Sequence, residues 1–308
     1  MTLPDRTSAP HDPVLLAEIR EAARGARRIV DATVGFGGHA AALREDGAEL
    51  LVIDRDPEAL AFARRRLGER GLTYLHAPFD APAVLEAVTA FRPDFILLDL
   101  GVSSLQLDAD ERGFSFRPGV PLDMRMEGQG ESAAELLGRA PLKELERIFR
   151  DYGDERRAAA LAREVVRRRE RSPFAASDDF VNAIRGVLGP RSGPGDFARL
   201  FQAVRIAVND ELGRLERALP AFRDALVPGG RLAVISYHSG EDRLVKQSFR
   251  RWSDVCSCPP GLPVCICGQV PLGATVPRRA VTAGADEVAR NPRARSAKLR
   301  IFRVNDAT

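Results

Sequence analysis

The sequence predicts an α/β fold: a doubly wound, mostly parallel sheet carrying an inserted all-helical domain. Three observations predict it. Short apolar runs alternate with amphipathic helical segments up to Ser104, the rhythm of a parallel sheet covered by helices on both faces. Three glycines, Gly35, Gly37 and Gly38, follow the first of these runs directly. The rhythm then gives way to helical patterns alone and resumes only at Arg231.

The elements follow in order. Residues 1–10 read as a frayed terminus, and Pro13–Gly25 as a helix stopped by its glycine. Ile29–Ala32 is a short buried strand. Its glycine loop leads into a helix from His39 to Arg44, so bare N–H groups and a helix N-terminus face a ligand. Leu50–Asp54 is the second strand. Asp56 and Pro57 start the next helix as cap and first residue; it runs to about Arg70, where Gly71 ends it. Leu72–His76 is a third strand, Pro82–Ala90 a helix, and Phe95–Ser104 a fourth strand with polar groups at its end. Ala133–Gly138, Leu142–Tyr152, Asp154–Arg171, Ser177–Leu188 and a segment from Asp196 are helices without a strand among them. Arg205–Leu226 is one or two long core helices, Arg231–Ser239 a fifth strand, and Lys298–Val304 a last, antiparallel strand at the far side. The domains are therefore 1–107 with 204–308, and an insertion over 108–203. Ligands of open α/β sheets sit outside the carboxyl ends of the strands, where this insertion leaves, so a substrate-binding role is expected of it.

Composition narrows the class. With 308 residues, 44% of them hydrophobic, a core is easily built. The formal net charge of +3 confines any nucleic-acid surface to local patches. The first 25 residues carry no apolar h-region, and no run approaches the ~18 apolar residues of a membrane span. Four cysteines lie close together in a chain without an export signal, which points to a reducing cytoplasm rather than a disulfide framework.

Asp54 stands at the end of the second strand, 23 residues after Asp31, where a carboxylate accepts both hydroxyls of a ribose. The pair of loop and carboxylate suggests an adenosine-containing cofactor. A dinucleotide enzyme prefers G-x-G-x-x-G at the loop, but this chain has Asp31-x-Thr33-x-Gly35-Phe-Gly-Gly-His39. That is the pattern of the first motif of class I methyltransferases. S-adenosylmethionine has no phosphate and needs close backbone approach plus a carboxylate for the ribose.

The resemblance becomes specific at Asp99-Leu-Gly-Val-Ser-Ser-Leu-Gln106-Leu-Asp108. It continues in His11–Leu16, Arg112–Phe116, Pro121–Met126, Phe201–Leu212, Ser236–Arg243 and Asn291–Arg300. Over nearly its whole length the chain resembles the bacterial 16S ribosomal RNA (cytosine-N4) methyltransferases, the MraW/RsmH family. The resemblance implies a class I S-adenosylmethionine-dependent methyltransferase, a Rossmann-like doubly wound sheet with an all-helical insertion. It implies methyl transfer to N4 of a cytidine in the decoding centre of 16S ribosomal RNA within the small ribosomal subunit. No membrane is expected as partner, and the sequence does not choose between monomer and homodimer. By position, the cofactor contacts fall on Gly37, Gly38, His39, Asp54, Phe79, Asp99 and Gln106, and the catalytic candidates are Asp99 and His238. Asp99 is expected to serve both the cofactor and the amine. Phe79 is expected to stack on adenine or else to be a core residue. His238 takes the released proton, contacts RNA, or is a structural histidine bonded near Ser239 or Glu241.

Amino-methyltransferases of DNA carry Asp/Asn/Ser-Pro-Pro-aromatic after the fourth strand; Asp99-Leu-Gly-Val keeps the acid alone. The chain also departs from its resemblance. Phe36 stands where Arg is usual, Leu105 for Pro, and Tyr237 and Gly240 alter a usual Phe-His-Ser-Leu-Glu-Asp run. Asp196–Phe201 has lost a Pro-Ala-Thr-Arg-Thr-Phe run.

Two basic stretches are candidates for phosphate contact or for solvated faces: Arg156–Arg171, with seven Arg and two Glu, and Arg278–Arg303, with eight basic and two acidic residues. Phe114, Phe116 and Trp252 are the aromatics offered for base stacking. Cys256, Cys258, Cys265 and Cys267 form either a structural zinc site or a plain ordered loop; no catalytic metal is expected. A nicotinamide dehydrogenase is disfavoured by the missing G-x-G-x-x-G. Cytosine-C5 chemistry is disfavoured because no cysteine lies near the mouths of the fourth and fifth strands.

Overall fold

The computed structural model describes residues 13–45, 47–103, 106, 107, 109–254, 258, 268 and 270–307. They divide into two compact units: residues up to Gly101 together with those from Arg214 onward, and Val102–Gly213. The expected insertion, 108–203, lies inside the second. No helix among the described residues is long and apolar enough to cross a membrane.

The first unit opens with α1 (Leu16–Ala22), β1 (Arg28–Asp31), α2 (Gly38–Glu45), β2 (Glu49–Asp54), α3 (Pro57–Leu67), β3 (Leu72–His76), α4 (Pro82–Phe91) and β4 (Phe95–Asp99). The start of α3 follows the sequence: the Asp56 carboxylate accepts the Glu58 N–H at 3.0 Å, with Pro57 at the first position. Its end does not. Gly68, at φ +72°, stops the helix at Leu67, three residues before the expected Arg70. β4 ends at Asp99 rather than at Ser104.

In the second unit, α5 (Ala133–Arg139) starts in a Ser132–Glu135 capping box, and α6 (Leu142–Arg147) runs into a π-helical turn over Ile148–Tyr152. α7 (Ala158–Arg169) begins later than Asp154, which sits at φ +47°. α8 (Ser177–Leu188) has the expected bounds, and α9 (Pro194–Asn209) follows. Their apolar faces meet around Leu145, Phe149, Leu161, Phe180 and Phe201. The Phe149 and Phe180 rings stack at 5.8 Å. Asp210, in the left-handed region, closes α9 by donating its N–H to Ile206 and Ala207. The expected run from Arg205 to Leu226 is therefore two helices.

α10 (Glu211–Ala225) leads back to β5 (Arg231–Ser236). A helix absent from the sequence reading follows, α11 (Ser239–Ser253), burying Val245, Phe249 and Trp252 on one face. β6 (Gly273–Thr275), β7 (Val281–Thr282), α12 (Ala285–Arg290) and β8 (Lys298–Val304) complete the unit. The sheet order is β3-β2-β1-β4-β5-β8-β6, with β7 also on β8. β1 to β5 are parallel, and β8 runs antiparallel to β5 as expected. β8 is not the edge, because β6 and β7 pair on its other side.

Alternate residues of these strands feed two cores, as a sheet covered on both faces requires. Ile29, Leu50, Val52, Phe95, Leu97 and Ile235 face Ile19, Leu43, Leu60 and Ala63 of α1 to α3. Val30, Leu51, Ile53, Ile96, Leu98 and Val234 face Val84, Leu219, Phe222 and Phe249 of α4, α10 and α11. The strand order reverses between β1 and β4, so the carboxyl ends of these two strands flank the switch point of the sheet.

Candidate functional site

Three neighbouring parallel strands, β2, β1 and β4, each end on a carboxylate: Asp54, Asp31 and Asp99. Asp54 is clamped at both oxygens. The Gly35 N–H donates to Oδ2 at 2.8 Å and the Asp56 N–H to Oδ1 at 2.9 Å. An ionised carboxylate has about four acceptor positions, so each oxygen keeps one to offer. Burial pushes its carboxyl up to about 6 against the pull of these two N–H groups.

Asp31 is buried, 1% exposed, and accepts the Thr33 N–H at 3.3 Å. Burial raises its carboxyl to about 7, opposed first by the neighbouring His39. Thr33 ties β1 to β4 by accepting the Asp99 N–H on Oγ1 at 2.6 Å.

The loop between β1 and α2 needs its glycines for two different reasons. Gly37 is at φ +72°, and a Cβ there would come 3.0 Å from Leu67 Cδ1. A Cβ on Gly38 would come 2.6 Å from Pro13 Cγ. His39, second in α2, is 6% exposed, and neither ring nitrogen has a hydrogen-bond partner. Its Nε2 lies 3.6 Å from Asp99 Oδ2. The other oxygen, Asp99 Oδ1, accepts the Tyr237 hydroxyl at 2.8 Å.

Within the first unit the fold thus brings Gly37, Gly38, His39, Asp54 and Asp99 to one edge. Phe79 follows β3 on the β2 side, where the Ala77 N–H donates to the Asp54 carbonyl at 3.1 Å. Its half-buried ring packs on Phe222, centroids 6.5 Å apart. His238 caps α11: its Nδ1 accepts the Glu241 N–H at 3.4 Å, and its Nε2 lies 3.2 Å from Glu241 Oε1. Gln106 belongs to the second unit, where it is buried and its side-chain oxygen accepts the Ser103 N–H at 3.0 Å.

The sequence reading passed over Asp31, Thr33 and Tyr237. Asp31 and Thr33 were already visible as the fixed positions of the Asp-x-Thr-x-Gly pattern; Tyr237 was visible only as a departure. Two stacking candidates are otherwise engaged. Trp252 is core, packed on Phe249 and Phe302 at 5.5 and 5.3 Å and covered by the Arg223 guanidinium. Phe116 packs edge-on against Phe197 and Phe201, both 6.0 Å away.

The basic run is partly internal. Arg167 and Arg168 pair with Glu164, and Arg169 donates to the carbonyls of Leu137 and Ala140. Arg156, Arg157, Arg163 and Arg171 are exposed. In the second basic stretch, Lys298 and Arg300 share Asp242. Cys258 is half-buried, while Cys256, Cys265 and Cys267 lie outside the described residues.

A parallel sheet with its switch point between β1 and β4, a glycine loop after β1 and a carboxylate ending β2 define the class I S-adenosylmethionine-dependent methyltransferase fold, here Rossmann-like with a helical unit inserted after β4. The chain belongs to the MraW methylase family, whose model matches residues 8–305. It is 56% identical to the ribosomal RNA small subunit methyltransferase H of Gemmatimonas aurantiaca, over 97% of this chain and 96% of that one. The protein of the same description from Anaeromyxobacter dehalogenans is 47% identical, over 94% and 96%. That from Rubrobacter xylanophilus is 46% identical, over 96% of both chains.

Proposed function

We propose that this chain transfers a methyl group from S-adenosylmethionine to the exocyclic N4 of a cytidine in the decoding centre of 16S ribosomal RNA, acting on the small ribosomal subunit in the cytoplasm. Family membership and the descriptions of the relatives support methylation of small-subunit ribosomal RNA. The choice of cytidine N4 rests on the motif resemblance and on one observation. Asp99, at the mouth of β4, is anchored through one oxygen and leaves the other to accept a hydrogen bond.

The residues fit the cofactor. The His39 imidazole is buried with neither nitrogen hydrogen-bonded, and Asp54 keeps one acceptor position on each oxygen. A carboxylate cluster of this kind also suits the positive sulfonium and ammonium groups. In this reading Asp54 holds the ribose hydroxyls and Phe79 lies against the adenine. Gly37, Gly38 and His39 border the methionine part. When bound, the cofactor supplies a methyl on its own sulfonium leaving group, so the transfer calls for no metal.

The cytosine amine is a poor nucleophile, because its lone pair is delocalised into the ring. Asp99 orients the amine by accepting one of its hydrogens and stabilises the positive charge that grows on nitrogen as the N–CH3 bond forms and the S–CH3 bond breaks, leaving the neutral thioether; the surplus amine proton then passes to solvent. His238 is assigned a positioning role rather than proton acceptance, since both its ring nitrogens face Glu241. The helical unit, through Arg156, Arg157, Arg163 and Arg171, is assigned RNA phosphate contact.

The test is to incubate small ribosomal subunits lacking the modification with labelled S-adenosylmethionine and to analyse nucleosides. Label in N4-methylcytidine is expected. Label in another nucleoside overturns the assignment, and so does full turnover by Asp99→Ala with normal cofactor affinity.

A further inference from the structure

We propose that Tyr237 is a positioning residue for Asp99: its hydroxyl holds Oδ1, so that Oδ2, the oxygen on the His39 side, is the one presented to the target amine. This deepens the reading of Asp99 given above and rests on it.

The geometry carries the inference. An Asp carboxylate turns about a broad, roughly two-fold torsion, so a fixed backbone does not fix its oxygens. Thr33 secures only the backbone of Asp99, through the N–H. The Tyr237 hydroxyl secures the carboxylate itself, from 138 residues away along the chain, at 2.8 Å. Tyr237 is in turn fixed at both ends. Its N–H donates to Glu241 Oε2 at 2.9 Å, inside the cap of α11, and its ring lies over Gly101, where a Cβ would come 3.6 Å from Cδ2. Burial and the Asp99 charge push the phenol well above its usual value, so it remains a protonated donor at any working pH. Methyl transfer needs amine, carbon and sulfur in line, and small misplacements of the group that aims the amine are costly.

Tyr237→Phe removes the hydroxyl and keeps the ring. With small subunits as substrate, kcat is expected to fall about tenfold, the worth of one hydrogen bond to a charged group. KM for S-adenosylmethionine, the Kd of S-adenosylhomocysteine and the thermal midpoint are expected to stay at parental values. Tyr237→Leu, which also removes the ring, separates packing from orientation. If Tyr237→Phe keeps parental kcat, or loses it only in step with cofactor affinity or thermal stability, Tyr237 is a packing residue and the proposal falls. Asp99→Ala reports on the underlying reading: full activity there removes the amine acceptor, and the role of Tyr237 with it.

Discussion

Asp31 carries a consequence for stability that can be measured. Burial, with smaller contributions from Asp99 and Asp54, lifts its carboxyl from 3.8 to about 7, while His39 and the Thr33 N–H pull the other way. The folded chain therefore keeps this proton up to about pH 7, whereas the unfolded chain releases it near 3.8. Between those values the folded state binds more protons, so stability falls as pH rises through the window. Each pKa unit is worth about 1.4 kcal/mol, so the whole window is about 4 kcal/mol, of which about 3 lies above about pH 5. Asp31→Asn removes the titration and keeps the shape. Its stability relative to the parent is expected to improve by about 3 kcal/mol between about pH 5 and about pH 8. Urea unfolding followed by Trp252 fluorescence is the assay. Trp252 is the sole tryptophan, 9% exposed and in the same unit as Asp31. A stability difference that is constant over this range, or that moves the other way, refutes the account of Asp31.

Asp54, lifted to about 6, must be ionised to accept two hydroxyls. S-adenosylhomocysteine is expected to bind about tenfold more weakly for each pH unit below about 6, and calorimetry that finds constant affinity down to about pH 5 removes Asp54 from the ribose. Arg156, Arg157 and Arg163 are exposed on the second unit. Changing all three to Ala is expected to weaken binding to small subunits and to reduce the slope of log affinity against log salt by about 2–3, with S-adenosylhomocysteine affinity unchanged; a parental slope argues that they are a solvated face.

Where local chemistry decides an element, the sequence announced it. Ser177–Leu188 carries acids in its first turn and a buried stripe of Phe180, Val181, Ala183 and Ile184, so both ends were legible. Lys298–Val304 was legible as a strand, but its neighbours β6 and β7 are three and two residues long, too short for a pattern. Gly68 and Gly71 have nearly the same φ, +72° and +73°, and nothing local says which of them ends α3. Asp210 breaks a helical run in the left-handed region without being glycine. α11 is not legible locally because Ser239, Gly240, Glu241 and Asp242 fill its first turn and read as loop.

The site divides along the same line. Gly37, Gly38, His39 and Asp54 sit within one βαβ stretch, so their meeting follows from local order. Asp99 joins them because β4 pairs with β1, and Tyr237 because β5 pairs with β4 in a register that sets Ile235 opposite Asp99. Neither pairing is written in either segment alone. The energetic character of the edge is still less local. Asp31 reads in sequence as the polar end of a short strand; only inside the sheet, between β2 and β4, does it become a carboxyl buried beside two others. Ionising Asp31 and Asp54 there opposes folding, a cost that the packing of the sheet must offset. On the function proposed above, a sulfonium donor held at this edge relieves that opposition by its charge, whereas the neutral thioether left after transfer does not. On that reading the arrangement favours the donor over its product through Asp31 and Asp54, the same groups that strain the edge.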